Sequence, residues 1–272
     1  MGTRRFSIFA ALVMCLSLIV ASCGSGGGNA PTGTGTGTGT GTKQLGVAGA
    51  QTYAAGVAVD SGGDVYVTGG TNGGLDGNTL MGLWDFFLTK YDSSGNKVFT
   101  KQLGVAGAQT FATGVAVDSG GNVYVTGSTD GGLDGNTLMG RQDMGRQDFF
   151  LTKYDSSGNK VFTKQLGVAE QYTSAAGVAV DSGGDVYVTG GMGGSPKMGM
   201  EDFFLTKYDS SGNKVFTKQL GVAGANTSAK GVAVGSGGNV YVTGYTTGGL
   251  DGNTLMGKED FFLTNYDSSG NK

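Results

Sequence analysis

An all-β propeller of four four-stranded blades is the fold this sequence predicts, and three observations lead there. A 22-residue block, DFFLTKYDSSGNKVFTKQLGVA, occurs unchanged at Asp85–Ala106, Asp148–Ala169 and Asp202–Ala223. A fourth copy, Asp260–Lys272, carries Asn265 where the others have lysine. Self-similarity on this scale marks a repeat architecture. Each repeat also holds four short apolar runs separated by Gly-rich turns, which is the hairpin signature. Finally, side-chain size changes in a fixed order along every repeat, from Gly and Ala through Tyr and Phe to Lys and Gln.

Composition supports an ordered β protein. Of 272 residues 56 are Gly and two are Pro, and charged residues make up 14%, against about 25% in an average globular chain. Aromatics at 10% with many β-branched residues are too apolar for a disordered chain. No 3.6-residue apolar stripe appears after the first 22 residues. The net charge is −3 and becomes more negative once Arg4 and Arg5 are removed with the leader. That balance argues against a nucleic-acid partner, which needs a basic footprint. Histidine is absent, and both cysteines, Cys15 and Cys23, lie in the leader region. The repeats therefore have no disulfide, thiol nucleophile or zinc site of their own.

Met1–Ser22 has a short basic start (Arg4, Arg5) and an apolar run, Phe6–Val20, too short to span a bilayer. It reads as an export signal. Val20-Ala21-Ser22-Cys23 resembles a bacterial lipobox, which implies cleavage that leaves Cys23 as the acylated N-terminus. Gly24 follows instead of Asp, and the resemblance then implies an outer-membrane lipoprotein of the bacterial cell envelope, on its surface or periplasmic face. An ordinary signal peptide or an uncleaved anchor is the alternative. Residues 23–42, mostly GSGGGNAPTGTGTGTGTGT, can bury no apolar area and read as a flexible tether, with a root-mean-square span of about 25 Å.

Residues 43–272 divide into repeats 43–100, 101–163, 164–217 and 218–272. The first strand of each is GVAVD (Gly56–Asp60, Gly114–Asp118, Gly177–Asp181), with Gly235 ending the fourth copy. A DSGG-type turn leads to VYVTG (Val65–Gly69, Val123–Gly127, Val186–Gly190, Val240–Gly244). A variable loop, FFLTKYD, a DSSGN turn and KVFTKQLG complete the unit. Both faces of the first three strands are apolar, so each sheet must be covered on both sides. Radially arranged sheets achieve this: small side chains fit where the sheets converge, aromatics where they diverge. GVAVD is thus expected innermost.

KQLG also stands at Lys43, ahead of any innermost strand, and the fourth repeat stops before its own copy. A strand near Thr42–Val47 is therefore expected to complete the last blade and close the ring. Half of an eight-bladed ring built from two chains is the alternative, so the chain is expected to be a monomer or a homodimer.

GVAVDSGGNVYVTG (Gly114–Gly127) and DFFLTKYDSSGN resemble the bacterial SBBP-type β-propeller repeats. The resemblance covers Lys43–Lys272. The family is named for seven blades, and four are read here. It implies an exported or surface protein and brings no defined catalytic activity.

The candidate chemistry lies in the loop before the third strand. GGLDGNTLMG occurs three times and places Asp76 and Asn78, Asp134 and Asn136, and Asp251 and Asn253 two apart. Oxygen side chains at alternate positions around a glycine suit Ca²⁺, but the further acidic ligands of an EF-hand loop are missing and an ordinary turn is the simpler reading. No other cofactor is expected. Asp60, Asp118 and Asp181 read as turn caps rather than a carboxylate ring. Asp85, Asp148, Asp202 and Asp260 likewise read as caps. Repeat two carries MGRQD twice (Met139–Asp143, Met144–Asp148), so its loop is expected to be exposed. Trp84, Arg141 and Arg146 in these loops are residue types favoured as interface anchors. The expectation is a non-catalytic, lipid-anchored envelope scaffold whose variable loops bind a protein or glycan. A calcium-stabilised structural protein is the alternative, and a propeller hydrolase or lyase the least favoured reading.

Overall fold

The computed structural model describes residues 41–140, 147–193 and 200–272. Cys23, Arg141 and Arg146 lie outside them, as do the leader and all of the tether but its last two residues. The described residues form an all-β propeller of four antiparallel blades. Blade one is β1 (Thr52–Val59), β2 (Val65–Thr71), β3 (Asp85–Tyr91) and β4 (Lys97–Leu103). Blade two is β5 (Thr110–Val117), β6 (Val123–Thr129), β7 (Asp148–Tyr154) and β8 (Lys160–Leu166). Blade three is β9 (Thr173–Val180), β10 (Val186–Gly193), β11 (Glu201–Tyr208) and β12 (Lys214–Leu220). Blade four has three strands: β13 (Thr227–Val234), β14 (Val240–Thr246) and β15 (Asp260–Tyr266).

Within a blade the strands pair antiparallel in chain order, the first with the second and the third with the fourth across short turns. At the DSSGN turn the Gly95 amide donates to Asp92 O (2.8 Å), with Gly95 at φ +79°. The innermost strands β1, β5, β9 and β13 lie side by side in that order. Glycine makes this approach workable: a Cβ on Gly56 would stand 3.3 Å from the Gly114 Cα. A bulge in β1 between Ala54 and Gly56 pushes the Tyr53 carbonyl onto Gly69. A Cβ on Gly69 would lie 1.8 Å from that oxygen, so only glycine fits there.

The core is the same interface made three times. Tyr66, Phe86 and Leu88 on one face of blade one pack against Val123, Val125 and Phe150 of blade two. Phe86 and Phe150 stack at 4.9 Å, Phe149 and Phe204 at 4.8 Å, and Phe203 and Phe262 at 5.1 Å. The order of side-chain sizes along the repeat thus maps onto distance from the axis.

The expected closure by Thr42–Val47 is not what the structure shows. Residues 42–47 form no strand, and blade four keeps three strands. Lys43, Gln44 and Leu45 instead line a cavity against blade one. The cause is hydrophobic: the outer face of blade one, with Val65, Val67 and Phe87, has no preceding blade over it, and Leu45 and Val47 cover part of it. β1 makes no contact with β13 comparable to those between successive innermost strands. The four blades form an open arc.

Candidate binding rim

One rim of the arc gathers the long loops between the second and third strands and the short loops between blades. There the loop that enters β3 is tied to the loop that enters β5. The Leu83 amide donates to Ala108 O (2.7 Å), and the Thr110 amide donates to Trp84 O (2.9 Å). This parallel bridge fixes Trp84 opposite Gln109. The indole then lies between two rings, 5.8 Å from Tyr53 and 5.0 Å from Phe111. Gly70 lets Phe111 lie flat, since a Cβ there would be 2.5 Å from the Phe111 ring. Tyr53 is 57% exposed, Trp84 and Phe111 are half-buried, and Met81 and Leu83 in the loop that carries Trp84 are exposed. The result is an aromatic platform, open to solvent on its Tyr53 side, at the junction of blades one and two.

The equivalent positions between blades three and four are polar. Glu201 replaces Trp84, and Ser174 and Ser228 stand where blades one and two have Tyr53 and Phe111. Glu201 is bridged to Asn226 as Trp84 is to Gln109. Burial, then the Glu201 carboxylate, pushes the Tyr172 hydroxyl above the ordinary phenol range. Lys230 Nζ sits 5.3 Å above the Tyr245 ring. Sequence reasoning found Trp84 but missed Tyr53, Phe111, Met81 and Leu83. The signal was present in positions that vary between repeats while their neighbours do not: Tyr53, Phe111, Ser174 and Ser228 occupy one such position.

The paired Asp and Asn residues are each engaged within their own blade. Each LDG segment is a 3-10 turn, Leu75–Gly77, Leu133–Gly135 or Leu250–Gly252, folded back along the outer edge of its blade. Leu75 is fully buried, and its amide donates to Gln102 Oε1 (2.9 Å). Asp76, Asp134 and Asp251 adopt positive φ, which Asp tolerates, and pair with Lys97, Lys160 and Lys272. The Lys97 ammonium holds the Asp76 carboxyl below the usual range against the opposing effect of burial. Asn78 Nδ2 donates to Leu75 O (2.8 Å) and Thr100 O (3.2 Å), and Asn136 repeats both bonds. Asn253 Nδ2 donates to Leu250 O (2.8 Å). Among the described residues no three His, Cys, Asp or Glu side chains gather into a group of metal-binding size.

The other aspartates are caps. Asp118 Oδ1 accepts from the Gly120 and Asn122 amides (2.9 Å each), and its Oδ2 accepts from Tyr124 O–H (3.0 Å). Asp60 and Asp181 do the same, on the rim opposite the aromatic platform. Asp85, fully buried, accepts from the Met81 and Gly82 amides (2.8 Å each) and Gln102 Nε2 (2.9 Å). Such groups build hairpins and loop ends.

The chain is similar to the regulatory protein FlaEY of Caulobacter vibrioides, at 28% identity over 76% of this chain. It spans about a quarter (24%) of that relative's length. Among solved structures, a puromycin hydrolase mutant complexed with PGG matches 80% of this chain and 28% of its own at 12% identity, with a TM-score of 0.40. A protein assigned to the gluconolactonases matches 77% of this chain and 57% of its own at 14% identity, with a TM-score of 0.34. The β-propeller repeat model, SBBP, matches residues 40–76, 98–134, 161–190 and 215–251. These segments include the inner hairpin of every blade and together exceed half of the sequence, and the chain belongs to the SBBP β-propeller repeat family.

Proposed function

We infer that this protein is a non-catalytic display scaffold of the cell envelope, tethered through a lipid on Cys23, that binds a glycan or protein ligand on its aromatic rim. The observation that carries this reading is the partly exposed stack of Tyr53, Trp84 and Phe111 on blades whose framework residues repeat almost unchanged. Exposed aromatics flanked by apolar side chains supply binding area at low entropic cost, on sugar faces and protein surfaces alike. The polar residues around Glu201 present a second, chemically different patch on the same scaffold. The description of the Caulobacter relative as regulatory agrees with a role exerted through binding.

Trp84 is the only tryptophan, so its fluorescence reports directly on the rim. Titration with solubilised envelope glycans and envelope proteins is expected to change that emission saturably, and Trp84→Ala to weaken the same binding, read by calorimetry, at least tenfold. Undiminished binding by Trp84→Ala would remove the rim from the reading. Incorporation of labelled fatty acid, lost in Cys23→Ala, tests the anchor separately.

A further inference from the structure

In blades one, two and four the Leu-Asp-Gly turn acts as a plug. Leu133 packs with Phe86 and Phe150 at the junction of blades one and two, against Leu103 and Val105. Leu250 packs in the same way with Phe203 and Phe262, against Leu220 and Val222. The leucine amide is held too, Leu75 N donating to Gln102 Oε1 and Leu133 N to Gln165 Oε1 (2.9 Å each). The aspartate of each turn then pairs with the lysine that follows the DSSGN turn, Lys97, Lys160 or Lys272.

Blade three has the receiving residues without the turn. Its loop, residues 193–201, is shorter than residues 72–84 of blade one and contains neither leucine nor aspartate. At the junction of blades two and three lies a cavity of about 250 Å³, walled by Phe149, Leu166, Val168 and Phe204. These are the counterparts of Phe86, Leu103, Val105 and Phe150 around Leu133. Gln219 and Lys214, the counterparts of Gln102 and Lys97, line the same cavity.

The polar groups here lack the partners that the turn supplies elsewhere. Met192 stands where the other blades have Thr71, Thr129 and Thr246. The Thr173 hydroxyl, which lines the cavity and is buried, is therefore without a hydrogen-bond partner among the described residues. Oδ1 of the buried Asp202 is also without one, whereas both oxygens of Asp85 accept loop amides. Gln219 Nε2 donates to Asp202 Oδ2 (2.6 Å), but no described residue donates to Gln219 Oε1. Lys214 is exposed, with no described carboxylate in the place of Asp76. Buried polar atoms in folded proteins are normally paired, so the unpaired ones point to a partner from outside the blade.

We propose that this groove on blade three binds, in trans, an aliphatic–acidic turn of a partner protein. A leucine-like side chain enters the cavity, its amide donates to Gln219 Oε1, and the carboxylate that follows meets Lys214. Blades one and two make these same three contacts with their own loops, and the charge on Lys214 selects an acidic segment over a basic one. The groove lies on a different blade from Tyr53 and Trp84, and the inference is independent of what the aromatic rim binds.

The probe is a peptide with the sequence of residues 73–82, GGLDGNTLMG, blocked at both ends. Calorimetry with the full-length protein is expected to show saturable one-to-one binding that leaves Trp84 emission unchanged. The Leu75→Ala version of the peptide is expected to bind about tenfold more weakly, and the Asp76→Asn version about threefold. Lys214→Glu, at an exposed position of the protein, is expected to weaken the parent peptide about tenfold. Replacing residues 193–201 by the sequence of residues 72–84 gives blade three its own plug and is expected to abolish binding, with the circular dichroism of the folded blades retained. Absence of binding, equal binding of the Leu75→Ala peptide, or undiminished binding by the Lys214→Glu chain or the folded loop exchange would overturn the proposal. A change in Trp84 emission would do so as well, by placing the peptide on the aromatic rim.

Discussion

Phe203 and Phe261 are the same residue of the same strand in consecutive blades, and nearly everything about them differs. Phe203 is fully buried and stacks 5.1 Å from Phe262, while Phe261 is 85% exposed. Their flanking sequences, EDFFLT, are identical. Strand, register and facing direction are therefore properties of the repeat, and burial is a property of whatever stands beside it. In a radial fold each blade supplies only half of every interface, so a blade's stability depends on its position in the series.

Mutation at the two positions is the strongest test of that contrast. Phe203→Ala removes a ring from a packed interface and is expected to cost about 3–5 kcal/mol in urea unfolding. Phe261→Ala, measured at concentrations where the chain is monomeric, is expected to stay within about 0.5 kcal/mol. Equal losses at the two sites would mean that the arc is already closed in solution.

A smaller difference separates the turns of blades one to three from that of blade four, where Gly235 replaces the capping aspartate. Burial raises the Asp118 pKa, but bonds from Asn122, Tyr124 and Gly120 outweigh it and hold the carboxyl below the ordinary range. A carboxyl depressed on folding stabilises above its unfolded pKa of about 3.9 and loses that contribution as pH falls through the folded value. Asp118→Ala is expected to cost about 1 kcal/mol at pH 7. Its gap from the parent chain should close as the pH drops below about 4. A gap that persisted at pH 2 would assign the effect to packing instead of charge.

The smallest effect is expected at the LDG turns. Asp76 is engaged with Lys97 and Asn78 donates its amide to two carbonyls, so excess Ca²⁺ against a chelator should leave the melting temperature unchanged. A filled site at 100 times its dissociation constant would add about 2.7 kcal/mol. A shift of that size would identify calcium as a structural ligand. Asp76→Asn, which breaks only a partly exposed pair, should cost about 0.5 kcal/mol.

Much of the site was legible where the controlling forces are local. The Asp118-type caps and the DSSGN turns follow from residues two to four apart. Trp84 stood out as a lone aromatic in a variable loop, but its partners did not, because Tyr53 and Phe111 reach it from two different blades. The Asp76–Lys97 pair was hidden for a related reason. It forms only because the loop folds back along the outer strand, which spacing within the loop cannot reveal.

By itself the sequence determined the repeat, the four blades, their strand order and the gradient from glycine at the axis to aromatics outside it, since periodicity and side-chain volume act within one unit. Only the tertiary structure decided that Thr42–Val47 lies on blade one instead of completing blade four, and that the arc stays open. Near-identical blades present near-identical faces, so the choice among neighbours rests on which faces meet and how far the arc curves, and neither is written in any single repeat.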